Sequence, residues 1–211
     1  MNVIKGSIGF LGLENWWNHE LSSKERDTII RFYNPMGSSS KDLIEGDISW
    51  TSEEPISLIY GIASWLNSYE NLGLCMKIFL KAKSLTTENT QAKIIHFLHG
   101  NEIKIYYRHR DRIGLEPTIA ACEQQIKISD KVAIEFINDN IHKLELTSSE
   151  IFYTPDALPS HIGYKQLSII MEKSHQYQRA IDLCTQAQAQ GWSGDWERRI
   201  DRYKKKINKH P

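Results

Sequence analysis

The chain has 211 residues, 40% hydrophobic and 25% charged, with 26 Lys plus Arg set against 26 Asp plus Glu. That is apolar material for one sizeable core or one short superhelix rather than two independent domains, and the balanced charge removes the long-range positive field behind most nonspecific nucleic-acid binding. Three cysteines without paired close spacings argue against a disulfide framework or a CxxC zinc site, and no run approaches the roughly 18 apolar residues that cross a bilayer, so the expected setting is the cytoplasm, away from membranes.

In chain order the pattern reads as helix nearly everywhere, with breaks at Asn34 to Gly37, Thr86 to Thr90, Gly114 to Pro117 and Leu146 to Pro159. Met1 to Leu13 is interrupted by Gly6, Gly9 and Gly12 and is followed by no small-residue cleavage site, so it reads as mature protein. Ser22-Ser23-Lys24-Glu25 has the form of a capping box, with the Ser22 hydroxyl accepting from a free amide and Glu25 reaching back. Ile29, Ile30 and Tyr33 give that helix its apolar face. Gly37 to Pro55 is rich in Ser, Gly and acidic residues and is expected to be a loop that Trp50 pins down. Residues 1–55 are thus read as an amino-terminal helix with its connecting loop, and 56–211 as a helical repeat region, together one continuous unit.

The strongest signal is an internal repeat, seen when Leu58 to Leu85 is laid over Gly163 to Gln190. Ala63, Cys75 and Ala82 in the first block are matched at equal intervals by Ser168, Ala180 and Ala187 in the second. Around them Ile59, Ile62, Leu66, Leu72 and Phe79 correspond to Tyr164, Leu167, Met171, Tyr177 and Cys184. Antiparallel helices approach closely only where side chains are small, with larger residues filling the grooves on either side. Each block therefore predicts two helices joined by a short turn. A third copy runs from Ile94 to Ile128, where Thr118-Ile119-Ala120-Ala121-Cys122 and Gln125 form the second helix and Arg110 to Pro117 lengthen the turn.

This pattern resembles the tetratricopeptide family, whose repeat runs through an aromatic, a Leu, a small residue and a Tyr, then Ala, an aromatic and a final Ala. Tyr164-Lys165-Gln166-Leu167-Ser168-Ile169-Ile170-Met171-Glu172-Lys173 followed by Tyr177-Gln178-Arg179-Ala180-Ile181 is the clearest copy. Ala63 and Ser168 stand where Gly is usual, and Trp192 where Pro often ends the unit. The stretch from Leu158 to Trp196 is also similar to uncharacterised bacterial proteins with such repeats, which imply no activity. The resemblance implies an all-α fold of antiparallel hairpins stacked into a short right-handed superhelix. A final helix from Trp196 to Ile207, with Trp196, Ile200, Tyr203 and Ile207 on one face and Arg198, Arg199, Arg202 and Lys204 to Lys206 elsewhere, suits a polar-faced cap on the last repeat.

Chemistry-bearing residues are few. Cys75, Cys122 and Cys184 fall at packing positions of the second helices. His96, His99 and Glu102 imitate metal-ligand spacing on one helix face, but no second histidine cluster completes a site and HExxH is absent, so no metal is expected. There is no glycine-rich phosphate loop and no GxSxG elbow, so neither an enzyme nor a cofactor is expected. Tyr106-Tyr107-Arg108-His109-Arg110-Asp111-Arg112 is the densest polar and aromatic cluster. It reads first as a helix end favoured by the macrodipole, and in the alternative as a nucleic-acid or nuclease-like site.

The resemblance places the first helix of each hairpin on a concave surface that receives an extended peptide or a partner's helix. The groove-lining positions are then Tyr60, Ser64 and Asn67 in one hairpin, His99, Ile103 and Tyr106 in the middle one, and Lys165, Ile169, Glu172 and Lys173 in the last. Some members of that family grip a carboxy-terminal carboxylate with Lys and Asn. Tyr60 and Ser64 occupy the places where the resemblance would put Lys and Asn, so that ligand class is not expected. The function expected is that of an interaction module or regulatory scaffold with a protein or peptide partner.

Overall fold

A computed structural model describes residues 4–36, 39–147 and 158–208, with side chains described for all of these except 143–147. Gly37 and most of the break expected from Leu146 to Pro159 lie outside the described residues. The described chain is mostly α-helical, and it divides into two compact units, Met1–Thr90 and Gln91–Pro211. That division falls at the break read at Thr86 to Thr90 and not near residue 55. Among the described residues no helix is long and apolar enough to cross a membrane.

In the first unit, α1 (Gly6–Phe10), a π-helical turn (Trp16–Glu20) and α2 (Ser23–Phe32) lead into a 3-10 turn (Ser40–Leu43), α3 (Pro55–Trp65) and α4 (Leu72–Ser84). The capping box forms as the sequence requires: the Ser22 amide donates to Glu25 Oε2 at 2.7 Å and the Glu25 amide to Ser22 Oγ at 3.3 Å. Glu25 also receives Lys77 Nζ at 2.8 Å, and Lys81 Nζ reaches Glu20 at 2.5 Å. These pairs link the amino-terminal segment to α4, within the same unit as the first hairpin. Ile8, Leu13, Trp16, Trp17 and Leu21 supply its buried core. The expectation for Trp50 is corrected: it is 76% exposed, whereas Leu43 on the 3-10 turn is 1% exposed and anchors the connection.

Helices α3 and α4 form the first predicted pair. Pro55 occupies the first turn of α3, where its missing amide hydrogen costs nothing. Ala63, Cys75 and Ala82 are all fully buried, and the Cys75 thiol donates to the Ala63 carbonyl at 3.2 Å. A small residue at each crossing is what lets the two backbones come this close.

The second unit contains α5 (Ala92–Arg108), α6 (Arg110–Ile113), α7 (Glu116–Lys127), α8 (Ser129–Thr147), β1 (Leu158–Ser160), α9 (Ile162–Lys173), α10 (Tyr177–Ala189), β2 (Trp192–Ser193) and α11 (Trp196–Ile207). Helices α5 and α7 pack together as the middle pair, and the lengthened turn between them is the single-turn α6. Helix α8 packs on α5; its Glu135 carboxylate accepts from the amides of Ala92 and Lys93 at 2.9 and 2.8 Å, holding negative charge at a helix amino terminus. Helices α9 and α10 form the last pair, and α10 has the same thirteen-residue length as α4. Ser168, Ala180 and Ala187 are fully buried, as are their counterparts.

Two features depart from the sequence reading. Leu158 and Trp192 pair in a parallel two-stranded sheet, β1 with β2, joining the entry of α9 to the exit of α10. On α11, Arg199 lies on the inner face with Trp196 and Tyr203 instead of outside. Its charge is met there by Asp195 at 2.7 Å, and Ile200 and Ile207 are half-buried. The helix packs along α10 and keeps Lys204 and Lys205 exposed.

Candidate functional site

The second unit is organised around one buried polar side chain. Gln125 on α7 is fully buried. Its Nε2 donates to the His96 carbonyl on α5 at 2.8 Å, and its Oε1 accepts from the Gly163 amide on α9 at 2.7 Å. The Gly163 amide belongs to the first turn of α9, where backbone donors have no partner within the helix. The next amide, Tyr164, donates to Nδ1 of the N-cap residue His161 at 3.3 Å. One glutamine thus fixes α5 against α9.

Glycines make that approach possible. A Cβ on Gly163 would lie 2.7 Å from Gln125 Oε1 and 3.1 Å from the Cys122 carbonyl oxygen, and a Cβ on Gly100 would lie 3.1 Å from Gln125 Nε2. With both positions bare, α5 and α9 become the walls of a cleft of about 410 Å³ whose floor is His96, Gly100 and Gln125. Phe97, Asn101 and Lys104 stand along the α5 wall, and Lys165, Gln166 and Ile169 along the α9 wall. These are the first helices of two neighbouring hairpins.

Of the groove residues expected from sequence, Lys165 and Ile169 line this cleft. The α5 positions need correction. Ile103 is fully buried and His99 and Tyr106 nearly so. His99 Nδ1 meets Glu102 Oε2 at 2.7 Å, and the Tyr106 hydroxyl donates to Glu102 Oε1 at 3.1 Å. This internal network takes the face that the reading gave to the groove, and the cleft is lined by the stripe Phe97, Asn101, Lys104 instead. Glu172 is also drawn away: Arg202 and Lys206 of α11 reach it at 2.8 Å each. Burial alone would raise its pKa, but the Lys206 hydrogen bond and the two positive charges hold it below the ordinary carboxylate value. Lys173 Nζ donates to the Tyr107 hydroxyl at 3.0 Å, bridging the carboxy-terminal ends of the two walls. Tyr60, Ser64 and Asn67 are half-buried and lie in the first unit; the Ser64 hydroxyl donates to the Gly61 carbonyl at 2.6 Å and Asn67 is engaged by other residues. The first unit carries its own open concavity of about 520 Å³ with both Lys24 and Arg31 and both Asp27 and Glu70 on its lining, so its charges largely cancel.

The residues of the Tyr106 to Arg112 cluster are placed in different surroundings. Tyr106 is inside, Tyr107 lies under the Arg110 guanidinium at 4.5 Å, and His109 and Arg112 are engaged by other residues.

His96 does not join the His99–Glu102 pair. His96 stacks on Trp192 with ring centroids 5.8 Å apart and an interplanar angle of 8°, and meets His161 edge-on at 4.9 Å. Burial, with a contribution from His99, pushes His96 down to about 4. Burial and the neighbouring His96 push His161 down to about 3. Both imidazoles are neutral near pH 7. Among the described residues no group of three or more His, Cys, Asp or Glu is placed to hold a metal ion. The three cysteines are buried, and burial raises the Cys122 thiol to about 12, a poor nucleophile.

The cleft chemistry is therefore cationic and amide-rich. Its lining holds two lysines and no carboxylate. Gln125 was legible as a second-helix position but not as the clip; a fully polar residue at a packing position of a helix is the signal that would have marked it. Compared with known protein families, with curated proteins and with solved structures, the chain matches none.

Proposed function

We propose that this chain is an interaction module, in which tetratricopeptide-like hairpins of the second unit stack as a short right-handed superhelix and the cleft between α5 and α9 receives a segment of a protein partner. The observation that carries this reading is the cleft itself: two first helices of successive hairpins, held at fixed separation by Gln125, with Lys165 and Ile169 among the exposed or half-buried residues on its walls. A rigid groove between helices is a standard receptor for an extended or helical peptide. The reading assigns no reaction and no cofactor, and it places the protein in the cytoplasm. The nucleic-acid alternative has less behind it, because the Tyr106 to Arg112 cluster is divided between core, stacking and helix-end roles.

Affinity capture from native cell extract, with mass spectrometry as the readout, tests the proposal. Phe97→Arg combined with Ile169→Arg changes two cleft-lining side chains that are not buried and is expected to keep the helical circular-dichroism signal while losing the captured partner. Undiminished capture by this variant would reject the cleft as the binding surface. A low-salt gel shift with RNA and DNA, lost in Arg108→Ala with Arg110→Ala, is the result that would favour the alternative.

A further inference from the structure

Resting on that reading, we infer that the occupant of the α5–α9 cleft is an extended internal peptide segment bearing acidic side chains, whose carboxylates pair with Lys104 and Lys165 on opposite walls. Three independent features point to it.

The first is charge. Lys104 and Lys165 are exposed cleft residues, and among the described residues neither ammonium group forms an ion pair or a hydrogen bond, whereas those of Lys77, Lys81, Lys93, Lys173 and Lys206 all have partners. The carboxylates nearest in sequence are occupied: Glu102 by His99 and Tyr106, and Glu172 by Arg202 and Lys206. Nothing on the lining neutralises the two ammonium groups. Both are lysines, point charges with no planar fork, which suits separate single carboxylates better than bidentate capture of a phosphate.

The second is amide chemistry. Gln166 Nε2 is buried without a hydrogen-bond partner, a state that a buried donor rarely keeps. Across from it, Asn101 donates its own Nδ2 to the Phe97 carbonyl at 2.9 Å, which leaves Asn101 Oδ1 as an acceptor on the α5 wall. Asn101 Oδ1 matches the amide N–H of an extended backbone, and Gln166 Nε2 gains a backbone carbonyl as its partner when the half-buried Gln166 side chain turns into the cleft it lines.

The third is size. The α5 wall runs from Phe97 to Tyr107, where the Lys173 bridge closes it. At about 1.5 Å per helical residue this is roughly 15 Å, the length of four or five residues at about 3.3 Å each in extended form. Phe97, Ile162 and Ile169 offer apolar contact on the same lining as the lysines, so an apolar residue alongside acidic ones is the expected pattern.

The test uses the full chain as immobilised bait for phage displaying random heptapeptides, with the selected sequences then synthesised as carboxy-terminal amides and measured by fluorescence anisotropy. Expected are sequences carrying Asp or Glu at two recurring positions, bound as amides. Replacing either acid by its amide, or introducing Lys104→Glu or Lys165→Glu, should weaken binding about tenfold, and raising salt should weaken it further. Selected sequences that are neutral or basic, lost in Ile169→Arg yet indifferent to both lysine reversals, would overturn the acidic occupant while leaving the groove in place. Peptides that bind only with a free carboxy terminus would also overturn it, by replacing side-chain carboxylates with a chain end. Failure to enrich any sequence over an unrelated helical protein, or enrichment untouched by Ile169→Arg, would remove the groove reading and this inference together.

Discussion

The pairs α3–α4 and α9–α10 are built on the same spacing of small residues but differ in what presses on their first helix. At Gly61 on the first helix of the first pair, a Cβ would meet nothing within 4 Å. At Gly163 in the last pair, a Cβ would collide with the side chain and the backbone of α7. The last pair also carries buried polar atoms that need partners, namely His161 and the hydroxyl of Tyr164, which lies 2.9 Å from Gln190 Oε1. The small-residue triad is therefore a general device for closing a hairpin. What turns a hairpin into one wall of a cleft is the extra polar and imidazole layer that docks it on α7 and β2.

The largest expected effect that separates the two pairs is on acid stability. His96 and His161 titrate from an ordinary 6.5 to about 4 and about 3 when folded, chiefly because burial penalises the charged ring. A folded value below the unfolded one means that the stabilisation is complete above the unfolded value. It is lost as pH falls from 6.5 through the folded values. With a slope that approaches about 1.4 kcal/mol per unit of pH for each group once pH is well below 6.5, the second unit should lose on the order of 3–4 kcal/mol between pH 7 and 5. The carboxyls held low, Glu25, Glu172 and Asp195, start from ordinary values of 4.5 and 3.8 and so titrate at more acid pH. The histidine of the first unit, His19, is exposed. Urea denaturation at pH 7, 6 and 5 should show this slope, and His96→Phe with His161→Asn, which keeps an acceptor at the N-cap, should flatten it. An unchanged slope in the double variant would break the assignment to the imidazole layer.

Next in size is a change whose sign should differ between the two pairs. Gly163→Ala forces Gln125 and the Cys122 carbonyl apart and weakens the bond at 2.7 Å, with an expected cost of about 2 kcal/mol. Gly61→Ala, inside α3 with open space around it, should stabilise by about 0.5–1 kcal/mol because glycine is the poorer helix former. Equilibrium urea melts followed by circular dichroism measure both. Two changes of the same sign would mean that the crowding at Gly163 does not govern the docking of α9.

These differences trace what was legible in the sequence and what was not. Capping at Ser22 and the start of α11 at Trp196 depend on neighbours a few residues apart, and the sequence pattern located both. The α4 and α10 helices were found the same way, because period and small-residue spacing are local properties. The register of α5 was missed because apolar or aromatic residues occur all around it, from Phe97 to Tyr106, so periodicity does not single out one face. Its buried side is widened by a charged residue, Glu102, that only the three-dimensional network with His99 and Tyr106 makes tolerable. The β1–β2 pairing and the Gln125 clip join residues far apart in the chain, and no local spacing encodes them. At the cleft, the α9 wall was readable from the repeat through Lys165 and Ile169, while the α5 wall was not.

The smallest expected effect concerns the one position where the two triads differ chemically, Ala63 against Ser168. Both are fully buried, which would make a hydroxyl at Ser168 costly if it lacked a partner. It donates to the Lys165 carbonyl one turn earlier at 2.9 Å and also pairs with the Cys184 thiol of α10, so its polarity is satisfied chiefly within its own helix. Ser168→Ala and Ala63→Ser should each change stability by no more than about 1 kcal/mol, since volume at the crossing is almost kept. Ala63→Leu and Ser168→Leu should both cost about 1–3 kcal/mol or more by forcing the paired helices apart. If the swap between Ala and Ser were as damaging as the leucine substitutions, side-chain chemistry rather than bulk would set the helix spacing, and the two hairpins would not share one packing device.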